Sequence, residues 1–157
     1  MSSKSHEALQ WISNLLNKHE VPYMICGGLA AIGYGSTRPL NDIDLFVPDE
    51  YFQTVVDAGA EYISKPAKRY TGYGWDIEYV QFIYKGTKIE VGNVKEARIL
   101  DSKVGEWVPL SVDFSRLTRR VVLGVDVPLM AIADLVDYKK VLGREVDIED
   151  VDVLEQL

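Results

Sequence analysis

Cysteine is nearly absent from this chain: Cys26 is the single one, which excludes an internal disulfide and any cysteine metal cluster. Histidine is scarce too. His6 and His19 flank the first predicted helix, with no acid or nucleophile placed to work with them, so a histidine-based mechanism is set aside. No apolar run is long enough to span a bilayer, and no charged-then-apolar leader is visible, so the expectation is a cytoplasmic protein with no membrane partner. Positive charge is in deficit, with 17 Lys and Arg against 24 Asp and Glu, a net charge of −7 and a pI near 4.8. Such a surface gains little from counterion release, which disfavours a long nucleic acid and leaves nucleotides, small molecules or another protein.

Several nucleotide and metal motifs are also missing. A P-loop needs Lys after its second glycine, whereas Gly33 is followed by Tyr34. The dinucleotide fingerprint fails at Arg38, where its third glycine should stand. An EF-hand beginning at Asp42 would put Phe46 at a ligand position.

What is present fits one α/β domain over residues 1–157, with 47% hydrophobic residues to build its core. The pattern predicts an amphipathic helix from Ser5 to Lys18, a buried strand over 21–26 and a short helix from Leu29 to Tyr34. A second strand follows from Asp42 to Val47, and Asp49 caps a helix through Val56. Residues 64–75, SKPAKRYTGYGW, read as a loop. Asp76 to Tyr84 and Thr87 to Val91 alternate around Lys85-Gly86 and predict a hairpin. Residues 101–111 read as extended or irregular. Val121 to Val127 predicts a short strand, and Pro128 is expected to open a helix reaching Leu142. Gly143 ends that helix, and Asp147 begins a last acidic one.

Within this frame one constellation carries chemistry. Gly27-Gly28 leaves a strand and opens a helix, a turn that presents backbone N–H groups to an anion. Asp42 and Asp44 alternate with Ile43, so both project from one face of the next strand. Two carboxylates on one face raise each other's pKa unless a cation lies between them. Glu90, between Ile89 and Val91, adds a third acid if its strand lies beside the first. Ligation by oxygen alone is what Mg²⁺ or Mn²⁺ prefers, and an anion-binding turn beside such an ion is equipment for phosphoryl transfer.

These parts, in this order, resemble the nucleotidyltransferase-fold superfamily that includes polymerase beta. Cys26-Gly27-Gly28, Asp42-Ile43-Asp44 and Ile89-Glu90-Val91 match its apolar-Gly-Gly start, acid-apolar-acid triplet and later single acid. The tail YKKVLGREVDIEDVDVL is similar to that of minimal prokaryotic members of the lincosamide and abortive-infection types. The G-S-x-A-R-G start of the small antitoxin group is absent. The resemblance implies a central mixed sheet flanked by helices, and transfer of a nucleoside monophosphate from a nucleoside triphosphate to a small-molecule or protein acceptor. It also implies Asp42, Asp44 and Glu90 as catalytic, metal-holding residues, and Gly27, Gly28 and Ser36 around the phosphates. A non-catalytic nucleotide-binding module and an antitoxin-like partner remain as alternatives, and a homo-oligomer is left open.

Lys139 falls among Ile132, Leu135 and Val136 on the apolar side of its helix, so its ammonium must snorkel or find an anion. A triphosphate contact and a salt bridge to a nearby Asp are both open. Asp147 and Asp150 read as cap and surface residues. Thr37, like Ser36, could donate to phosphate or simply hold a turn. Arg38, Lys65, Lys68 and Arg69 are further candidates for phosphate or acceptor contacts. Tyr70, Tyr73, Trp75 and Tyr79 would stack on a base or fill the core.

Overall fold

Residues 3–157 are described by a computed structural model. The first helix, α1 (Lys4–Lys18), starts where the Ser3 hydroxyl accepts the His6 N–H at 3.0 Å. Its apolar stripe, Leu9, Ile12 and Leu16, is fully buried. The chain continues through β1 (Met24–Cys26), α2 (Gly27–Tyr34), β2 (Ile43–Val47) and α3 (Asp49–Ala58). β3 (Ile63–Gly72), β4 (Trp75–Tyr84) and β5 (Thr87–Asp101) form a meander, and β6 (Glu106–Pro109) returns along the far end of β5. A hairpin of β7 (Leu117–Val122) and β8 (Val125–Met130) precedes α4 (Ile132–Leu142) and α5 (Glu145–Glu155).

The strands make one mixed sheet in the order β3-β4-β5-β2-β1-β8-β7, with β6 paired to β5. β1–β8 and β2–β5 run parallel and the other pairs antiparallel. The expected α/β architecture with a mixed sheet is therefore present. No helix among the described residues is long and apolar enough to cross a membrane.

Three local expectations are corrected. Residues 64–72 are not a loop but the body of β3, an edge strand whose Lys65, Pro66 and Lys68 discourage further pairing. The strand predicted to stop at Val91 runs on to Asp101, past a bulge at which Glu96 adopts φ 55°. Pro128 does not open a helix: it lies within β8 opposite Arg119, and α4 starts only after Ala131.

Candidate active site

Asp44 sits in the middle of the sheet. It is paired in register with Glu90 of parallel β5 on one side and with Cys26 of antiparallel β1 on the other. Asp42 precedes the strand by one residue and shares the Asp44 face by alternation. Ile43 and Val47 go the other way and are completely buried. Register thus brings three carboxylates to one face. Burial, then Glu90, then Asp42 push the Asp44 carboxyl up to about 7. Burial and the Asp42 charge raise Glu90 as well. Among the described residues, however, no three His, Cys, Asp or Glu side chains are gathered closely enough to hold an ion as they stand.

The glycine pair makes this crowding possible. Gly27 has φ 61°, and a Cβ there would lie 2.7 Å from Asp44 Oδ2. Its N–H donates to Tyr138 Oη at 2.7 Å. At Gly28 a Cβ would lie 2.2 Å from Arg38 Nη2. Gly27→Ala should therefore cost about 1–2 kcal/mol through the left-handed backbone alone, and it should displace the Asp44 carboxylate in addition. Urea denaturation checks this, and an unchanged midpoint would contradict it.

Behind the glycines lies a buried ion network. Asp150, 1% exposed at its side chain, accepts Arg38 Nε at 2.7 Å and Nη2 at 3.1 Å. It also accepts Lys139 Nζ at 2.8 Å. Lys139, 3% exposed, lies 3.7 Å from Asp147, which in turn accepts Arg144 Nε at 2.6 Å and Nη2 at 3.1 Å. Asp147 Oδ2 also takes the Arg144 backbone N–H, closing a capping box at the start of α5. Three cations thus share two carboxylates, leaving one excess positive charge close to the acid row.

The acids open into a cavity of about 540 Å³. Gly27, Tyr138 and Arg144 line one side, and Lys65, Tyr70 and Tyr79 line the other. Tyr73, Trp75, Ile77 and Gly92 also line it. A second depression, about 610 Å³, lies beside α1, lined by Trp11 and Tyr84 among others, and contains none of the three acids.

Solved structures share this arrangement of chain. A Thermotoga maritima protein provisionally described as a nucleotidyltransferase aligns over 99% of this chain and 94% of its own, with TM-score 0.74 and 18% identity. The chain has the nucleotidyltransferase fold. The lincosamide antibiotic adenylyltransferase LnuA, solved with lincomycin, aligns over 98% of this chain and 97% of its own at TM-score 0.64 and 13% identity. ANT(2")-Ia, solved with adenylyl-2"-tobramycin, aligns over 98% and 89% at TM-score 0.67 and 14% identity. No protein-family profile and no curated protein sequence matches the chain.

Within the nucleotidyltransferase fold, the sequence-predicted residues fall into two places. Gly27, Asp42, Asp44 and Glu90 line the cavity together. Gly28, Ser36, Thr37, Arg38 and Lys139 do not. Ser36 is buried, and its Oγ accepts the Arg38 N–H at 3.4 Å, while Thr37 is exposed. The expectation that Asp147 and Asp150 lie on the surface is corrected: both are buried, because each is needed to neutralise two cations. Sequence reasoning missed Tyr138 and Arg144. Tyr138 carries no sequence signal beyond its place in a predicted helix. Arg144 follows the helix-ending Gly143, and that junction was the only available signal.

Proposed function

We propose that the protein is a metal-dependent nucleotidyltransferase, moving a nucleoside monophosphate from a nucleoside triphosphate to an acceptor hydroxyl. The observation that carries this reading is the parallel register of Asp44 with Glu90, with Asp42 on the same face and Gly27 beside them. A purely structural sheet gains nothing from that repulsion, whereas all-oxygen donors of like charge suit Mg²⁺ or Mn²⁺. Asp42 and Asp44 would hold the ion, and Glu90 would complete the donor set. When bound, the ion supplies charge neutralisation on the phosphate oxygens.

The chain's own groups account for the rest. The acceptor oxygen bonds to the α-phosphorus while the bond from that phosphorus to the α–β bridging oxygen breaks, and pyrophosphate leaves. Glu90 takes the hydroxyl proton, a task suited to a carboxylate whose pKa is raised. The Gly27 N–H, at the start of α2, is placed to serve phosphate, and Arg144 provides the nearby cation in the cavity. A phosphate oxygen at Gly27 would take the place of Tyr138 Oη. Arg38 and Lys139 act from behind, by fixing Asp150 beneath the turn. Ser36 holds the connection that follows α2, its Oγ accepting the Arg38 N–H. LnuA and ANT(2")-Ia, with their antibiotic ligands, support a small-molecule acceptor.

The test is transfer of label from α-³²P nucleoside triphosphates with Mg²⁺ to antibiotic, metabolite and protein acceptors. Glu90→Gln should still bind nucleotide and should lose at least about 100-fold in transfer, the lower range for a general base. Undiminished transfer by that variant would remove Glu90 from the chemistry. Binding without transfer in wild type, against every acceptor, would favour the non-catalytic module.

A further inference from the structure

The acid row divides the cavity into two walls of different chemistry. On the Glu90 side, sheet register places Gln81 of β4 opposite Glu90, and Lys65 of β3 opposite Gln81. That wall presents Tyr70 and Tyr79, whose ring centroids are 4.4 Å apart at 38°. The ammonium groups of Lys65 and Lys68 lie 5.9 and 5.1 Å from the Tyr70 ring centre. Among the described residues, no Asp or Glu other than Asp42, Asp44 and Glu90 lines the cavity. At its mouth stands Tyr73, 92% exposed with φ 52°. A two-residue hairpin turn ordinarily takes Asn, Asp or Gly there, so neither packing nor backbone preference selects a tyrosine.

We propose that the β3–β4 wall is the acceptor subsite, and that it takes a planar hydroxyl compound, uncharged or anionic, and not a polycation. The proposal rests on the reading of Glu90 as the group that receives the acceptor's proton, because that is what places the acceptor on this side. An ammonium brought into the cavity would need a carboxylate partner, and the three present are committed to the ion. Tyrosine faces attract cations, but at Tyr70 two lysines already occupy that role. Lys65 is left to repel a cationic acceptor or to pair with an anionic one, while Tyr73 and Tyr79 offer surface for a flat ring.

Saturation-transfer NMR in saturating Mg²⁺ without nucleotide, so that the three carboxylates carry their ion, tests this with three probes: p-nitrophenyl glucuronide, p-nitrophenyl glucoside and the polycation tobramycin. The two aromatic glycosides should receive saturation on their ring protons, the glucuronide more strongly, and tobramycin should receive none. Lys65 is exposed, so Lys65→Glu should fold normally. It should reduce the glucuronide signal at least fivefold and leave the glucoside within twofold. Tobramycin saturated as strongly as the glucoside would overturn the proposal. So would a glucuronide signal indifferent to Lys65→Glu, or no signal from either aromatic probe. Magnesium–nucleotide binding, measured separately by calorimetry, is independent of these outcomes: its persistence alongside a failed probe set refutes the acceptor subsite alone.

Discussion

Asp150→Asn is expected to cost about 3–5 kcal/mol, the usual penalty for removing one member of a buried ion pair. The carboxylate accepts three hydrogen bonds, two from Arg38 and one from Lys139. An amide of the same shape would carry no charge and would turn an N–H₂ toward those donors. Lys139, 3% exposed, would then face only Asp147, 3.7 Å away and already engaged by Arg144. For a domain of this size each kcal/mol moves the melting temperature by about 2–4 °C, so a fall of roughly 6–20 °C is expected in a thermal scan. Lys139→Met should be milder, because Arg38 still holds Asp150 and Arg144 still holds Asp147. A melting temperature within 2 °C of wild type for Asp150→Asn, a margin of about 1 kcal/mol or less, would show that the network contributes little.

The second large effect is on the pH dependence of the metal-free protein. The Asp44 carboxyl is pushed from 3.8 to about 7 by burial, Glu90 and Asp42. The folded chain therefore binds more protons than the unfolded chain between about pH 4 and 7, and its stability must fall as pH rises through that window. At about 1.4 kcal/mol per pKa unit the full loss is on the order of 4 kcal/mol. Glu90, also raised, acts in the same direction. Asp76, held down to about 2 by Arg69 and Arg98, titrates below this window and does not mask it. In EDTA the melting temperature should drop between pH 5 and pH 8. Mg²⁺ should flatten the drop, and Asp44→Asn should remove most of it. An equal slope in wild type and Asp44→Asn would mean that Asp44 is not the group under strain.

The acid row was legible in the sequence because alternation is a strict rule. Asp42 and Asp44 could only share a face, and an acid between Ile89 and Val91 could only oppose its neighbours. The parallel register of β2 on β5, which alternation alone does not set, then aligns Asp44 with Glu90. The hairpins were less legible. Tyr73-Gly74, Lys85-Gly86 and Leu123-Gly124 are all two-residue turns with positive φ at both positions. Only the Lys85-Gly86 turn stood between visibly alternating strands, and Tyr or Leu is an unusual first residue in such a turn. Their disguise concealed β3 and the β7–β8 turn. Pro128 misled for a related reason, since a proline ahead of a helical pattern normally marks its first turn.

The ion network shows a different limit. Asp147 and Asp150 lie on an acidic helix whose other acids, Glu145, Glu149, Asp152 and Glu155, are exposed, so nothing marked these two as buried. What buries the pair is three cations drawn from α4, from the α4–α5 junction and from the segment after α2. Only the Lys139 position, apolar by helical phase, hinted at it. The salt bridge left open for Lys139 is the contact that the fold makes. The consequence for the site is positional: Arg38 rests against Gly28 and is fixed there by Asp150.

The central claim is that Asp42, Asp44 and Glu90 make a magnesium–nucleotide site. Calorimetric titration with each of the four α,β-methylene ribonucleoside triphosphates in Mg²⁺ tests it directly, since these analogues bind without turning over. At least one should bind wild type with a Kd below about 1 mM, equivalent to roughly 4 kcal/mol. EDTA or Asp42→Asn/Asp44→Asn should abolish the heat. Silence from all four analogues, or equal binding by the double variant, would contradict the account.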